Sequence, residues 1–231
     1  MHCMGGMARI ASGILEGFRS LGDLTGTSSD VLDQLGIAGA VPASVLRPSD
    51  PKARIVGCAI TVHNRARSET VAEAVAKKKS GLGEIRAHRL AQPGDVLVIQ
   101  GVANVSSLGG VSASVGKRQG EIGAIVDGGA RDVDHSRAIG YPIWSSSVTP
   151  ITGKWRVETV AVNEPVVIAG VAVRPGDLVL ADECGVCFVP AERAAEVLAI
   201  AQRWSAWEDE RLKKLASGMP LDEFTKMTRP Q

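Results

Sequence analysis

Two short stretches combine residue types that can do chemistry. "IVDGGARDVDH" runs from Ile125 to His135 and sets Arg131 beside Asp132, directly after an apolar run and two glycines. "SSLGGVSAS", residues 106–114, is a second glycine-rich turn, centred on Gly109 and Gly110. Each follows a strand-like run and opens a helix-like one. A helix N-terminus presents free backbone N–H groups and the positive end of a dipole. Two such ends aimed at one crevice beyond the strand ends make a place for a carboxylate. Arg131 can grip that carboxylate with two parallel donors. Asp132 adds a hard oxygen ligand, and Mg2+ often takes only one or two protein carboxylates, with water completing its shell. The competing reading is an ordinary helix cap at Asp132. In either case Gly128 and Gly129 are expected to turn the chain from strand to helix.

Other candidate chemistry is weaker. Cys184 and Cys187 have CxxC spacing. A structural zinc site needs four ligands, and a redox pair sits at a helix N-terminus. This pair lies in a strand-like run, "CGVCFVP", so small residues in a sheet are expected. The four histidines show no HxH or HExxH spacing, which argues against a histidine metal centre. No nucleophile elbow supports a Ser-His-Asp triad. "SVGKRQGE" lacks the lead and the ending of a phosphate loop, and "GVANVSSLGG" does not match a dinucleotide fingerprint. Lys154, Trp155 and Arg156 form a charged cluster of a kind that can reach a distal carboxylate; a surface loop is the commoner explanation.

The elements that must position these residues follow from pattern. The chain has 231 residues, 45% of them hydrophobic and 22% charged. That suits one domain or one core with appended helices and excludes a disordered chain. A net charge of +1 and 3% aromatics offer neither a basic surface nor a stacking platform, so no nucleic-acid or membrane partner is expected. No apolar run is long enough to span a bilayer. The opening "MHCMGGMARIASGIL" lacks the layout of a secretory signal. A reducing cytoplasm is therefore expected, with Cys3, Cys58, Cys184 and Cys187 as free thiols. Residues 1–7 read as an extension, 8–217 as one domain and 218–231 as a tail.

Apolar spacing predicts helices at 8–20, at 27–36 with Ser or Thr caps, at 68–80, at 110–121, at 132–140 and at 190–217. Strands are predicted at 54–64, 93–101, 122–128 and 142–147. The alternation between 93 and 147 indicates a mixed α/β core with some parallel strands. Residues 157–189 read as an antiparallel or barrel-like sheet section. The phrase "PGDVLVIQG" at 93–101 returns as "PGDLVLAD" at 175–182, a turn that launches a strand rather than a solenoid period.

With these residues in view, the chain resembles the family of the regulator of ribonuclease activity A (RraA) and the class II 4-hydroxy-4-methyl-2-oxoglutarate aldolases. Those aldolases carry Asp-x20-Arg-Asp and their relatives Gly-x20-Arg-Asp. Here Gly110 precedes Arg131 and Asp132 at that spacing. "SSDVLDQLG", "GCAITV", "PGDVLVIQG" and "VNEPVVIAGVAVRPGDLVLADECGVCFVP" extend the similarity over residues 27–190. The resemblance implies a compact α/β sandwich of the swivelling β/β/α type with N- and C-terminal helices. It implies homotrimers or hexamers with the site between subunits. It further implies that Arg131 binds the carboxylate of a 2-oxo acid, that Asp132 ligates Mg2+ or Mn2+, and that Gly109, Gly110, Val111 and Ser112 form the loop whose amides hold the pyruvoyl oxygens. Arg131 and Asp132 would be the catalytic pair. A neighbouring chain would lend an acid, with Glu183 or Asp182 as candidates.

The implied activity is carbon–carbon cleavage, by retro-aldol release of pyruvate or by decarboxylation of oxaloacetate, through an enolate. The alternative is a non-catalytic regulator that binds and inhibits ribonuclease E. Two positions depart from the aldolase pattern. Gly110 stands where the aldolases have the Asp that orients a water. His135 stands where relatives often have an acid, with Asp134 one residue earlier. The enolate-stabilising half is thus expected to be retained and the aldolase base to be altered or supplied elsewhere.

Overall fold

The computed structural model describes residues 9–230; the expected extension at 1–7 and Cys3 lie outside it. The chain opens with α1 (Ser12–Arg19) and α2 (Thr25–Gln34), then β1 (Ala40–Pro42), β2 (Arg47–Pro48) and β3 (Ile55–Ala66). Next come α3 (Val71–Ala76), α4 (Glu84–Leu90), β4 (Asp95–Gln100) and β5 (Ser106–Leu108). The central stretch is α5 (Gly110–Gln119), β6 (Gly123–Ala130), α6 (Val133–Ala138) and β7 (Ile143–Val148). Strands β8 (Val157–Val162), β9 (Val166–Ile168), β10 (Val171–Val173), β11 (Leu178–Asp182) and β12 (Gly185–Val189) precede α7 (Ala194–Ala216) and α8 (Leu221–Phe224).

Ten strands form one mixed sheet in the order β1-β12-β11-β3-β4-β6-β7-β2, with β5 beside β6 and β8 beside β3. The centre, β3-β4-β6-β7, is parallel, and the flanks are antiparallel. Parallel strands need crossovers, and α4, α5 and α6 lie in them. Successive side chains of β4 go to opposite faces: Leu97 and Ile99 pack with Ala87 of α4 and Ala113 of α5, while Val96 and Val98 pack with Ile168 and Val173 of the β9–β10 hairpin. Helices α1, α2 and α7 extend the helical layer over β11 and β12 through Phe18, Leu32 and Val197. The result is hairpin, sheet and helices, the mixed α/β architecture expected.

The repeated Pro-Gly-Asp phrase has one physical basis. Gly94 and Gly176 both take positive φ, 92° and 89°. The following aspartate accepts from the backbone three residues back: Asp95 Oδ2 from Gln92 N at 2.8 Å, Asp177 Oδ2 from Arg174 N at 2.7 Å. Each device closes a turn through a side chain, as Asp commonly does.

The late β section is antiparallel, as expected, and β11 pairs with β3 within the central sheet. Two local expectations change. Helix α2 starts at Thr25 instead of being capped by its own Ser or Thr; Asp182 of β11 accepts from Thr25 N at 3.1 Å and from Thr25 Oγ1 at 2.6 Å. Helix α3 is shorter than 68–80: a capping box of Thr70 and Glu73 fixes its start, and Lys78 leaves it at φ 52°. The segment after Gly218 is also held. Arg229 pairs with Asp30 at 2.7 Å and lies over Trp204, whose indole N–H donates to Pro230 O at 2.9 Å. Among the described residues no helix is long and apolar enough to cross a membrane.

Gly57 lies where β3 passes the β4 turn, and a Cβ there would strike Gly94 O and approach Val96 Cγ2 at 3.0 Å. Gly57→Ala is therefore expected to destabilise the fold by about 1–3 kcal/mol, the usual cost of overpacking. A urea melt with an unchanged midpoint would contradict this packing.

Candidate functional site

Strand β6 ends at buried Ala130, and the next two residues emerge at the end of the sheet. Arg131 N–H donates to Leu108 O at 3.0 Å, which ties the pair to β5. Asp132 then takes φ 53°, ψ 37°. This left-handed conformation is rare outside glycine, and Asp and Asn are among the few that tolerate it. The turn into α6 is made here, not at Gly128 and Gly129, which lie inside β6. At Gly129 a Cβ would sit 2.7 Å from Thr149 Cγ2 and from Val105 O, so that glycine serves close approach rather than the turn.

Asp132 is not a conventional cap either. Its carboxylate makes no cap bond to α6. Instead Oδ2 accepts from Gly110 N at 2.9 Å, across to the first turn of α5, with Arg131 Nε 3.5 Å away. A Cβ on Gly109 would lie 3.0 Å from Arg131 Nε and 3.1 Å from Asp132 Oδ2; one on Gly110 would lie 3.1 Å from His135 Cδ2. The glycine pair thus lets Arg131 and Asp132 press against the start of α5. Val111 is 81% exposed beside them, and among the described residues the Val111 and Ser112 amides have no partner. The expected crevice between two helix N-termini is therefore built from one, since α6 is a six-residue turn that contributes Asp132 instead.

Two cavities meet at this pair. An open one of about 650 Å³ is lined by Gly110, Val111, Asp132, Asp134 and His135. A small one of about 100 Å³ is lined by Glu84, Ser107, Gly109, Ser112, Arg131 and Thr152. His135 is turned aside, its Nε2 2.8 Å from Ser114 Oγ. Another cavity, of about 640 Å³, holds Arg19, Arg54 and Arg137. Those arginines already donate to backbone carbonyls of Val56, Leu21, Gly22 and Ser49.

Beneath the small cavity runs a buried polar chain. Ser112 Oγ is 2.8 Å from His88 Nε2, and His88 Nδ1 is 2.7 Å from Glu121 Oε1. Tyr141 O–H donates to Glu121 Oε2 at 2.6 Å. All four are buried. Burial, followed by the Glu121 charge, pushes the Tyr141 hydroxyl pKa well up, so it remains a donor. Glu84 and Ser107 each have a buried side-chain oxygen without a partner among the described residues, and burial raises the Glu84 pKa. Sequence reasoning missed His88, Glu121, Tyr141, Glu84 and Ser107. Glu84 and His88 share α4, but Ser107, Glu121 and Tyr141 come from other parts of the chain, and no local spacing connects them to the pair.

Among the described residues no three His, Cys, Asp or Glu side chains converge on one point. Asp132 Oδ2 is engaged, which leaves Oδ1 for a ligand, and Asp134 shares its cavity. This donor set fits a hard cation that keeps most of its shell as water or ligand oxygen, not tetrahedral zinc. Of the two acids considered for a shared site, Asp182 is committed to Thr25 and Cys184 N, while Glu183 is exposed. Lys154 stacks on Trp155 in an exposed turn, and Arg156 donates to Thr152 O. The turn adjoins the small cavity only through Thr152.

A mixed sheet that brings an Arg-Asp pair against a glycine-opened helix defines a class, and the comparisons give it a family. The profile described as RraA-like, Aldolase/RraA, matches residues 25–188, and the chain belongs to that family. It is 30% identical over 193 residues to a protein of Halalkalibacterium halodurans provisionally named 4-hydroxy-4-methyl-2-oxoglutarate aldolase, covering 83% of this chain and 84% of that one. It is 30% identical over 200 residues to protein DlpA of Legionella pneumophila; that match covers 84% of this chain but 31% of the longer relative. Among solved structures, an uncharacterised protein of Pseudomonas syringae superposes with TM-score 0.79 at 29% identity, covering 94% and 98% of the two chains. Streptomyces coelicolor RraAS2, described as an unusual member of the RNase ES inhibitor RraA family, gives 0.71 at 28%, covering 91% and 98%.

The CxxC pair is no thiol centre: Cys184 is exposed, Cys187 is buried, and both are free. Burial, reinforced by Asp182, pushes the Cys187 thiol up to about 12. At pH 8 it remains protonated and inert. Iodoacetamide at that pH is expected to label Cys184 well before Cys187, as read by peptide mass spectrometry. Equal labelling would contradict the burial.

Proposed function

We propose that the chain is a divalent-metal-dependent carbon–carbon lyase acting on a small 2-oxo acid, by retro-aldol release of pyruvate, by decarboxylation of oxaloacetate, or by both. The observation that carries this reading is the Asp132–Gly110 hydrogen bond, which holds Arg131, Asp132 and the open amides of α5 around one point. Asp132 would hold Mg2+ or Mn2+, whose Lewis acidity would polarise the 2-oxo group when bound. Arg131 binds the substrate carboxylate through paired donors. The Val111 and Ser112 amides receive the remaining pyruvoyl oxygens, and Gly109 and Gly110 permit that approach. Cleavage leaves an electron pair as an enolate, and the fixed Arg131 cation stabilises that developing charge.

Several neighbouring features support a shared site. Arg131 and Asp132 are 43% and 48% exposed at their side chains, and Val111 is bare. A homotrimer or hexamer in which a second chain covers this edge and lends an acid accounts for that exposure. We place the protein in the cytoplasm. The Streptomyces neighbour's description favours one other reading, a regulator acting by protein contact on an RNase E-type enzyme, with the Arg-Asp pair as a relic.

One assay separates the two. With oxaloacetate and Mn2+, pyruvate release is expected, abolished by chelator and reduced at least about 100-fold in Asp132→Ala. Arg131→Lys is expected to lose about 10–100-fold in kcat/KM, the worth of a charge-assisted bond. Mn2+ binding followed by electron paramagnetic resonance should vanish in Asp132→Ala. Equal pyruvate release in all samples would overturn the lyase reading.

A further inference from the structure

Gly110 has no side chain to serve as base, and His135 is tied to Ser114. Yet retro-aldol cleavage must remove the substrate's 4-hydroxyl proton, whereas decarboxylation needs no such base. The buried chain behind the small cavity has the arrangement of a relay. A hydroxyl meets one imidazole nitrogen at 2.8 Å, and a carboxylate meets the other at 2.7 Å. Base next to hydroxyl, and orienting acid next to base, is the geometry by which triads are recognised irrespective of chain order. When Glu121 is ionised it accepts from Tyr141 and from His88 Nδ1–H. That tautomer leaves Nε2 as the acceptor for the Ser112 hydroxyl proton. The missing elbow does not matter here, because Ser112 sits in the first turn of α5, and the relay opens into the cavity that also holds Arg131.

We propose that Ser112 is the proton-transfer residue of an aldolase reaction, with His88 and Glu121 as its positioning residues. The proposal rests on the lyase reading above. Ser112 Oγ takes the 4-hydroxyl proton of a 4-hydroxy-2-oxo acid as its own proton passes to His88 Nε2. The C3–C4 bond breaks, its electron pair goes to the enolate, and the 4-oxygen becomes a carbonyl. In reverse, Nε2 returns a proton to Oγ as Oγ protonates C3, which yields pyruvate. No proton is gained or lost, and no further reactant is required. A relay buried except where Ser112 meets the small cavity suits a proton that is borrowed and returned without passing through solvent.

The test compares two reactions at one site: cleavage of 4-hydroxy-4-methyl-2-oxoglutarate and decarboxylation of oxaloacetate, each with Mn2+. Ser112→Ala, which keeps the backbone amide, is expected to lower kcat for aldol cleavage at least about 30-fold more than kcat for decarboxylation; Ser112→Thr, which keeps the hydroxyl, should restore part of that difference. His88→Gln should show the same split. Oxalate, a planar enolate mimic, should shift the His88 ring resonances in the wild-type protein and leave them unmoved in Ser112→Ala. Glu84→Gln is the control, since Glu84 lines the same cavity. The relay is overturned if Ser112→Ala cleaves normally, if both reactions fall together, if Glu84→Gln alone shows the split, or if the wild type decarboxylates without cleaving the aldol. A wild type inactive in both reactions overturns the lyase reading instead.

Discussion

The hydrogen bond between Gly110 and Asp132 ties the Arg131–Asp132 pair to the start of α5. Asp132 Oδ2 accepts from Gly110 N at 2.9 Å, so the end of β6 and the start of α5 are fixed to each other rather than merely adjacent. The bond needs three conditions. Asp132 must adopt the left-handed conformation, Gly109 and Gly110 must have no side chains, and β5 must hold Arg131 N–H through Leu108 O. Residues in such sparse backbone regions tend to occur at functional sites, where the surroundings over-determine them. Here the surroundings are the parallel strands β4, β6 and β7, whose common direction brings their carboxyl ends to one edge. That is the edge where open α/β sheets place ligands.

The same helix carries a second set of polar contacts on its inner side. Ser112 is two residues from Gly110, about half a turn round the helix, and its hydroxyl points into the layer where His88 of α4, Glu121 before β6 and Tyr141 before β7 meet. Every member of this network has a partner, as a buried polar group requires. Helix α5 therefore faces a charged pair on its exposed side and a closed hydrogen-bonded chain on its buried side. Ser112 is the point where the two environments come within reach of one another.

Much of this was legible in the sequence. The strand-helix alternation between 93 and 147 emerges as β4 to β7. The Arg131-Asp132 pair and the Gly109-Gly110 turn do come together, because strand ends and helix starts follow local signals. What was not legible depends on tertiary partners. Asp132 reads as a metal ligand with a helix cap as the competing reading, and nothing local signals that its carboxylate crosses to another element. Gly128 and Gly129 read as a turn, yet they lie in a strand beside a packed loop. Asp182 reads as a spare acid, yet it caps a helix 157 residues earlier in the chain. His88 and Glu121 lie 33 residues apart, and neither carries a local signal that it belongs with Ser112.

The account is tested most directly by diffraction from crystals soaked with Mn2+ and oxalate, using the manganese anomalous signal. The account requires a manganese peak at coordination distance from Asp132 Oδ1, with one oxalate carboxylate on Arg131 and the other group facing the Val111 and Ser112 amides. Oxalate bound elsewhere, or manganese bound away from Asp132, would contradict it.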